Sequence, residues 1–168
     1  MKKVIVLLCV ILACTFTACG YTQADIDEAY QRGYADGYAA LKPVARPASG
    51  TILIGKEYSG SELTIHSDTT YDYVVTLKDY RGTDYVTFYV RAGDTVTIGV
   101  PDSYLYVYFA SGKTWYGYGK GLMFGKDTDY SKDDEAKDFT QYAWEYTLYP
   151  VSHGNFEETP SNENEFFK

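Results

Sequence analysis

Imidazole chemistry in this chain can come only from His66 and His153, the two histidines present. A hydrolytic triad needs a nucleophile, a His and a buried acid, so one of these two would have to serve. His66 closes a strand-like run that starts at Glu62, and His153 sits in a Ser-His-Gly-Asn turn. There is no Gly-x-Ser-x-Gly elbow, no His-Glu-x-x-His pair and no phosphate-binding loop. Glu62, Asp72 and Glu145 are candidate carboxylates for glycoside hydrolysis, whose acid pair is defined by a separation that only a fold can set. No motif surrounds them. The expectation is a non-catalytic protein with no cofactor.

A second constellation is acidic. Asp127, Asp129, Ser131, Asp133, Glu135 and Asp138 fall on the ligand positions of a calcium-loop frame. Lys132 occupies the place of the turn glycine, Asp138 is shorter than the usual bidentate Glu, and Asp134 replaces a hydrophobe. Lys126, Lys132 and Lys137 are interleaved, so residues 127–138 read as a solvated acidic loop. No metal site is assigned, and weak calcium binding in another arrangement stays open.

The larger resource is aromatic, with 19 Tyr, 8 Phe and 2 Trp. Alternation along a strand puts Tyr104, Tyr106 and Tyr108 on one face and Leu105, Val107 and Phe109 on the other. Tyr85, Thr87 and Tyr89 oppose Val86, Phe88 and Val90 in the same way. The aliphatic face predicts the core. The Tyr face reads in two ways: rings packed on a sheet with wet hydroxyls, or a platform for sugar rings or another protein. Trp115, Tyr116 and Tyr118 add to the platform reading, with Gly117 and Gly119 leaving room for close approach. A core Trp115 at a sheet corner is the other reading. Trp144 alternates with Tyr142, Tyr146 and Leu148 and is expected in the core. The candidate ligand-binding set is Tyr104, Tyr106, Tyr108, Trp115, Tyr116 and Tyr118.

Short alternating segments must position these residues. The pattern predicts strands at 51–54, 62–66, 71–77, 85–90, 95–100, 104–110, 114–118 and 142–149. Turn signals separate them, among them Arg81-Gly82-Thr83, Ala92-Gly93-Asp94 and Ser111-Gly112-Lys113. No long helical pattern interrupts them, so the fold class is all-β, a small antiparallel β-sandwich or barrel-like domain over residues 51–155. Before it, residues 22–41 read as a helix, opened by a capping-box pair, Thr22 and Asp25. Ala29, Gly33 and Gly37 form a small-residue row along it, either on a spacer helix or on a self-associating one. Residues 42–50, KPVARPASG, read as a linker, and residues 156–168 as a disordered acidic tail.

The N-terminus is an address. Lys2 and Lys3 precede an apolar run from Val4 to Phe16 that is shorter than the roughly 20 residues of a spanning helix. It ends in Thr17-Ala18-Cys19-Gly20. This resembles the lipobox of bacterial lipoproteins, with Phe16 where Leu is commoner; a second match, Ile11-Leu12-Ala13-Cys14, fits less well. The resemblance implies cleavage after residue 18, a diacylglyceryl group on Cys19, and an anchored segment 19–41 on the outer face of a cell membrane. Cys9 and Cys14 lie within the signal 1–18, so the mature chain would carry no disulfide.

Loss of Lys2 and Lys3 from the 15 cationic side chains leaves a balance of −10 against 23 Asp and Glu. That excess argues against nucleic acid as a partner. The runs VRAGDTVTIGVP, YVYFASGKTWYG, FGKDTDYSKDD and YTLYPVSHGNF, within residues 85–156, resemble an uncharacterised β-rich domain of bacterial surface proteins. That resemblance implies location and fold and brings no active site. The expected partners are the membrane, through the lipid, and a glycan or a cell-surface protein.

Overall fold

The computed structural model describes residues 22–148 and 158–168. Cys19, the signal 1–18 and His153 lie outside the described residues. The chain divides into two units, Met1–Ala40 and Leu41–Lys168.

In the first unit, α1 (Gln23–Ala39) begins as the sequence predicts. Thr22 Oγ1 accepts from the Asp25 amide at 3.2 Å, and the Asp25 carboxylate accepts from the Thr22 amide at 2.8 Å. Together these satisfy two donors that a helix start leaves open. Glu28 and Arg32 pair one turn apart at 2.6 Å. Gly33 and Gly37 have open space where a side chain would stand. No described helix is long and apolar enough to cross a membrane.

The second unit is a sandwich of unequal sheets. Its strands are β1 (Ile52–Gly55), β2 (Ser61–His66), β3 (Asp72–Lys78), β4 (Asp84–Val90), β5 (Thr95–Val100), β6 (Tyr104–Gly112), β7 (Asp129–Asp133), β8 (Lys137–Asp138), β9 (Trp144–Thr147) and β10 (Glu158–Pro160). A short helix, α2 (Glu163–Phe166), follows. The large sheet runs β1-β4-β3-β6-β7-β10, with β8 also on β6; the small sheet runs β5-β2-β9. Pairing is antiparallel except between β2 and β9, which are parallel. No closed barrel forms.

Strand alternation builds the core between the sheets. Leu63 and Ile65 of β2 and Ile98 of β5 face Val75 and Leu77 of β3, Phe88 of β4 and Leu105, Val107 and Phe109 of β6. Tyr146 joins the layers: its ring meets Phe109 edge-on at 5.6 Å, and its hydroxyl donates to Asp133 at 2.7 Å. Every residue of β3 is buried, so the large sheet is covered on both faces. Its outer face carries a second cluster of Val74, Tyr89, Ala110, Trp115, Met123, Phe124 and Phe166.

Five expectations are corrected by this architecture. Residues 114–118 are not a strand. Gly117 and Gly119 take φ of 120° and 149°, which turns the chain back on itself until the Tyr116 amide bonds Met123 at 2.9 Å. The acidic stretch 127–138 is not a solvated loop, because β7 pairs with β6 from Tyr108↔Lys132 to Ser111↔Asp129. The stretch 42–50 is not a free linker. Arg91 donates to the carbonyls of Pro47 and Arg46 at 2.7 and 3.0 Å, and the Val44 amide bonds the Trp115 carbonyl at 3.0 Å.

The tail is ordered through its described part, 158–168. β10 pairs with β7, and Phe166 is 1% exposed. Finally, Tyr85 leaves the face of Thr87 and Tyr89. A bulge between Leu77 and Lys78 puts Lys78 opposite Asp84 and turns Tyr85 toward Tyr58, with ring centroids 6.3 Å apart.

Candidate functional site

A cleft of about 410 Å³ opens on the outer face of the large sheet. Its floor comes from Lys78 of β3, Tyr106 and Tyr108 of β6, and Lys132 of β7. These side chains share a face because Lys78 pairs with Tyr106 and Lys132 with Tyr108 across the ladders. One wall is the β3–β4 turn, residues 79–82; the other comes from Glu165 and Lys168 of the tail.

The turn is rigid for a definable reason. The Asp79 carboxylate accepts from the amides of Arg81 and Thr83 at 2.8 and 2.9 Å, and these bonds, chiefly that from Thr83, hold its pKa below the usual range. The turn projects Tyr80, which is 75% exposed, into solvent at the lip. Arg81 Nε donates to the Tyr80 hydroxyl at 2.7 Å, and the guanidinium lies 5.1 Å from the ring. On the floor, the half-buried Tyr108 lies between two cations, with Lys78 Nζ at 5.7 Å and Lys132 Nζ at 6.0 Å from its centroid. Burial raises the Tyr108 phenol above its usual pKa. Lys132 donates to Glu165 at 3.1 Å, and that bond raises the lysine and lowers the carboxyl.

The six candidate ligand-binding residues divide between two places. Tyr106 and Tyr108 line the cleft. Tyr104 continues the same row to the open end of β6, where it is 60% exposed and donates to Asp138 at 3.1 Å. Trp115, Tyr116 and Tyr118 lie elsewhere, in the layer that covers the outer face. Trp115 is 4% exposed and meets Tyr89 edge-on at 4.9 Å and Phe124 at 5.4 Å. The Tyr116 ring lies against Gly125, and Tyr118 packs on Phe167 at 5.5 Å. Trp115 is thus a core residue, while Tyr116 and Tyr118 are half-buried against protein, away from the cleft. Trp115→Ala should therefore lower stability by about 3–5 kcal/mol, measured by chemical denaturation. A shift below about 1 kcal/mol would contradict its place in this cluster.

Tyr80 was missed in the sequence, although an aromatic inside a turn between two apolar strands has nowhere to bury. Lys78 was missed because a Lys at a strand end reads as solvated; here it is 1% exposed, beside a bulge that sets it opposite Asp84.

The candidate carboxylates do not converge. Asp72 is buried under Arg46, while Glu62 and Glu145 lie on the exposed face of the small sheet. One arrangement there has the wiring of a triad: His66 Nδ1 is 2.8 Å from Thr95 Oγ1, and Nε2 is 3.0 Å from Glu145. A triad buries its carboxylate and turns Nε2 to the nucleophile. Here Glu145 is 68% exposed and the nitrogens are reversed. The row is a cross-strand polar ladder.

The calcium frame also separates. In β7, Asp129, Ser131 and Asp133 alternate with Tyr130 and Lys132, and Asp133 is bonded by Tyr146 and by Lys137 at 2.8 Å. Among the described residues, no three His, Cys, Asp or Glu side chains gather as a metal site.

No family matches the chain, and no curated protein or solved structure does so.

Proposed function

We propose that the chain is a lipid-anchored protein of the cell surface whose β-domain binds a glycan in this cleft without catalysis. The observation that carries the reading is the union of Tyr80, Tyr106 and Tyr108 with charged side chains of both signs in one cleft. Its 410 Å³ lies within the range of small-ligand sites, about 300–1,000 Å³. Sugar rings present C–H faces that aromatic rings cover, and hydroxyls that both donate and accept. Same-face neighbours on a strand are about 7 Å apart, so the row from Tyr104 to Tyr108 suits a linear chain of several sugars. The anchor reading rests on the Thr17-Ala18-Cys19-Gly20 sequence.

The test is titration of the protein with cell-wall and polysaccharide fragments, followed by isothermal calorimetry. Tyr106→Ala should weaken binding roughly tenfold or more while leaving the thermal transition in place. No saturable binding by any fragment would sink the reading. Cys19→Ala should move the protein from membrane to soluble fractions, and retention in the membrane would refute the anchor. A second reading has its own observation. Tyr104 and Tyr142, 60% and 58% exposed, suit a protein-interaction surface at the end of β6. Tyr104→Ala with Tyr142→Ala would then abolish a pull-down and leave glycan titrations unchanged.

A further inference from the structure

The two ends of the cleft differ. At one end the tail crosses the outer face of the large sheet as a bar. β10 ties it to β7, the Glu165 carboxylate accepts from Lys132 of β7 at 3.1 Å, and Phe166 packs on Tyr130 at 5.5 Å. Phe167 then meets Tyr118 at 5.5 Å. Lys168 reaches the β3–β4 turn, where a Cβ built on Gly82 would stand 3.9 Å from its backbone. The tail therefore spans from β7 to the turn, and the two walls of the cleft meet. Phe166 is 1% exposed, so the bar is fixed in the core rather than laid over the opening.

The opposite end has no such bar. Lys78, the last residue of β3, stands opposite Tyr106. β6 begins beyond that point, at Tyr104, which is 60% exposed. Tyr104, Tyr106 and Tyr108 share a face, so they form a row that starts in solvent and ends against the tail. Charge does not choose the ligand here. The lining sets four carboxylates against four cations, and the Lys78 ammonium is already paired with Asp84 at 2.7 Å. Shape does choose it. An internal stretch of a polymer continues in both directions, and in one of them it would collide with the tail; a clash of this kind excludes a competitor as surely as a contact favours a ligand. An end sugar stops there. It carries a free hydroxyl where the chain would otherwise continue, and the Lys132–Glu165 pair offers that hydroxyl both a donor and an acceptor.

We infer that this cleft binds a linear glycan by one of its chain ends, with the end sugar on Tyr108 against the tail and the following sugars over Tyr106 and Tyr104. The inference rests on the glycan reading above and adds the part of the polymer that is recognised.

The test counts protein molecules bound per reducing end, by calorimetric titration of the full chain in detergent. The probes are linear hexasaccharides of an α-linked hexose, a β-linked hexose and a β-linked N-acetylhexosamine, each with a longer soluble polymer of the same linkage. For a linkage that binds, the count should be one on the hexasaccharide and stay one on the polymer, so that affinity per sugar falls in proportion to chain length. A count that grows with polymer length overturns the inference, because internal segments then bind. The glycan reading survives that result provided Tyr106→Ala still weakens binding by about tenfold. A variant that carries Glu165→Ala and ends at Phe167 keeps Phe166 in the core and lowers the bar. Its count on the polymer should rise above one, and a count still at one in this folded variant overturns the inference. Should the variant lose its thermal transition, the counts on the unaltered chain decide alone. Absence of binding by every probe overturns both readings.

Discussion

Asp72→Ala should lower the stability of the β-domain by about 3 kcal/mol or more. The carboxylate is almost fully buried and accepts from the Tyr89 hydroxyl at 2.6 Å, the Ala92 amide at 2.8 Å and Arg46 at 3.1 Å. Arg46 is half exposed, so solvent screens the ion pair and leaves it a small share. The cost comes from the other two donors. With Asp72 gone, the Tyr89 hydroxyl, whose ring lies against Trp115 and Phe124, and the part-buried Ala92 amide both lose their acceptor, at about 1–3 kcal/mol each. Burial first, and then the bond to Asp72, raise the Tyr89 phenol far above its usual pKa, so it stays a donor throughout the working range. Tyr89→Phe removes one bond while the ring remains, and should cost about half as much. Urea denaturation of the two variants checks the order. A cost for Asp72→Ala no larger than that for Tyr89→Phe would mean that the network does not hold this face.

The second large effect concerns the C-terminus. Phe166→Ala should cost about 3–5 kcal/mol, as for other buried aromatic deletions. The ring packs on Tyr130 at 5.5 Å within the cluster of Val74, Tyr89, Trp115 and Met123. Asn162 caps the short helix by accepting from the Glu165 amide at 3.1 Å, which orients Phe166 inward. Removal of residues 158–168 should cost more still, because β7 then loses its β10 partner as well. A disordered tail would make both changes neutral, so one melting curve separates the two pictures.

Acid acts on the same clasp. The bond from Lys132, then that from Ser161, hold the Glu165 carboxyl below its ordinary value of 4.5. Its contribution is therefore present above pH 4.5 and is lost as pH falls below it. Amide exchange at Phe166 and Phe167 should accelerate between pH 5 and 3 beyond the intrinsic pH effect, and Glu165→Gln should remove that pH dependence.

These two effects mark where sequence reasoning stopped. Alternation over Leu105, Val107 and Phe109 identified the inner core without any structure, because a strand face buried on one side imposes period two. The outer face obeyed the same alternation but met a different environment. Tyr89 and Tyr108 occupy equivalent faces of β4 and β6, yet Tyr89 is sealed under Trp115 while Tyr108 floors a cleft. That difference depends on where residues 113–128 and 161–168 lie, and no local pattern encodes it. Trp115 read as a strand residue because aromatic residues favour strands. The positive φ of Gly117 and Gly119 overrode that propensity and folded the segment inward. The tail read as disordered because its composition is polar and acidic; two adjacent Phe residues, 166 and 167, were the signal for docking.

By itself, then, the sequence determined the β class, most strand positions, the helix start at Thr22 and the composition of the inner core. Each of these follows from interactions between residues close in the chain or from a simple burial period. Only the tertiary structure decided the two-faced burial of the large sheet, the parallel pairing of β2 with β9, and the cleft itself. The cleft brings Lys78, Tyr106, Lys132 and Glu165 together from four separate segments. Their meeting depends on strand order and on a bulge at Lys78, which are properties of long-range pairing rather than of any window of sequence.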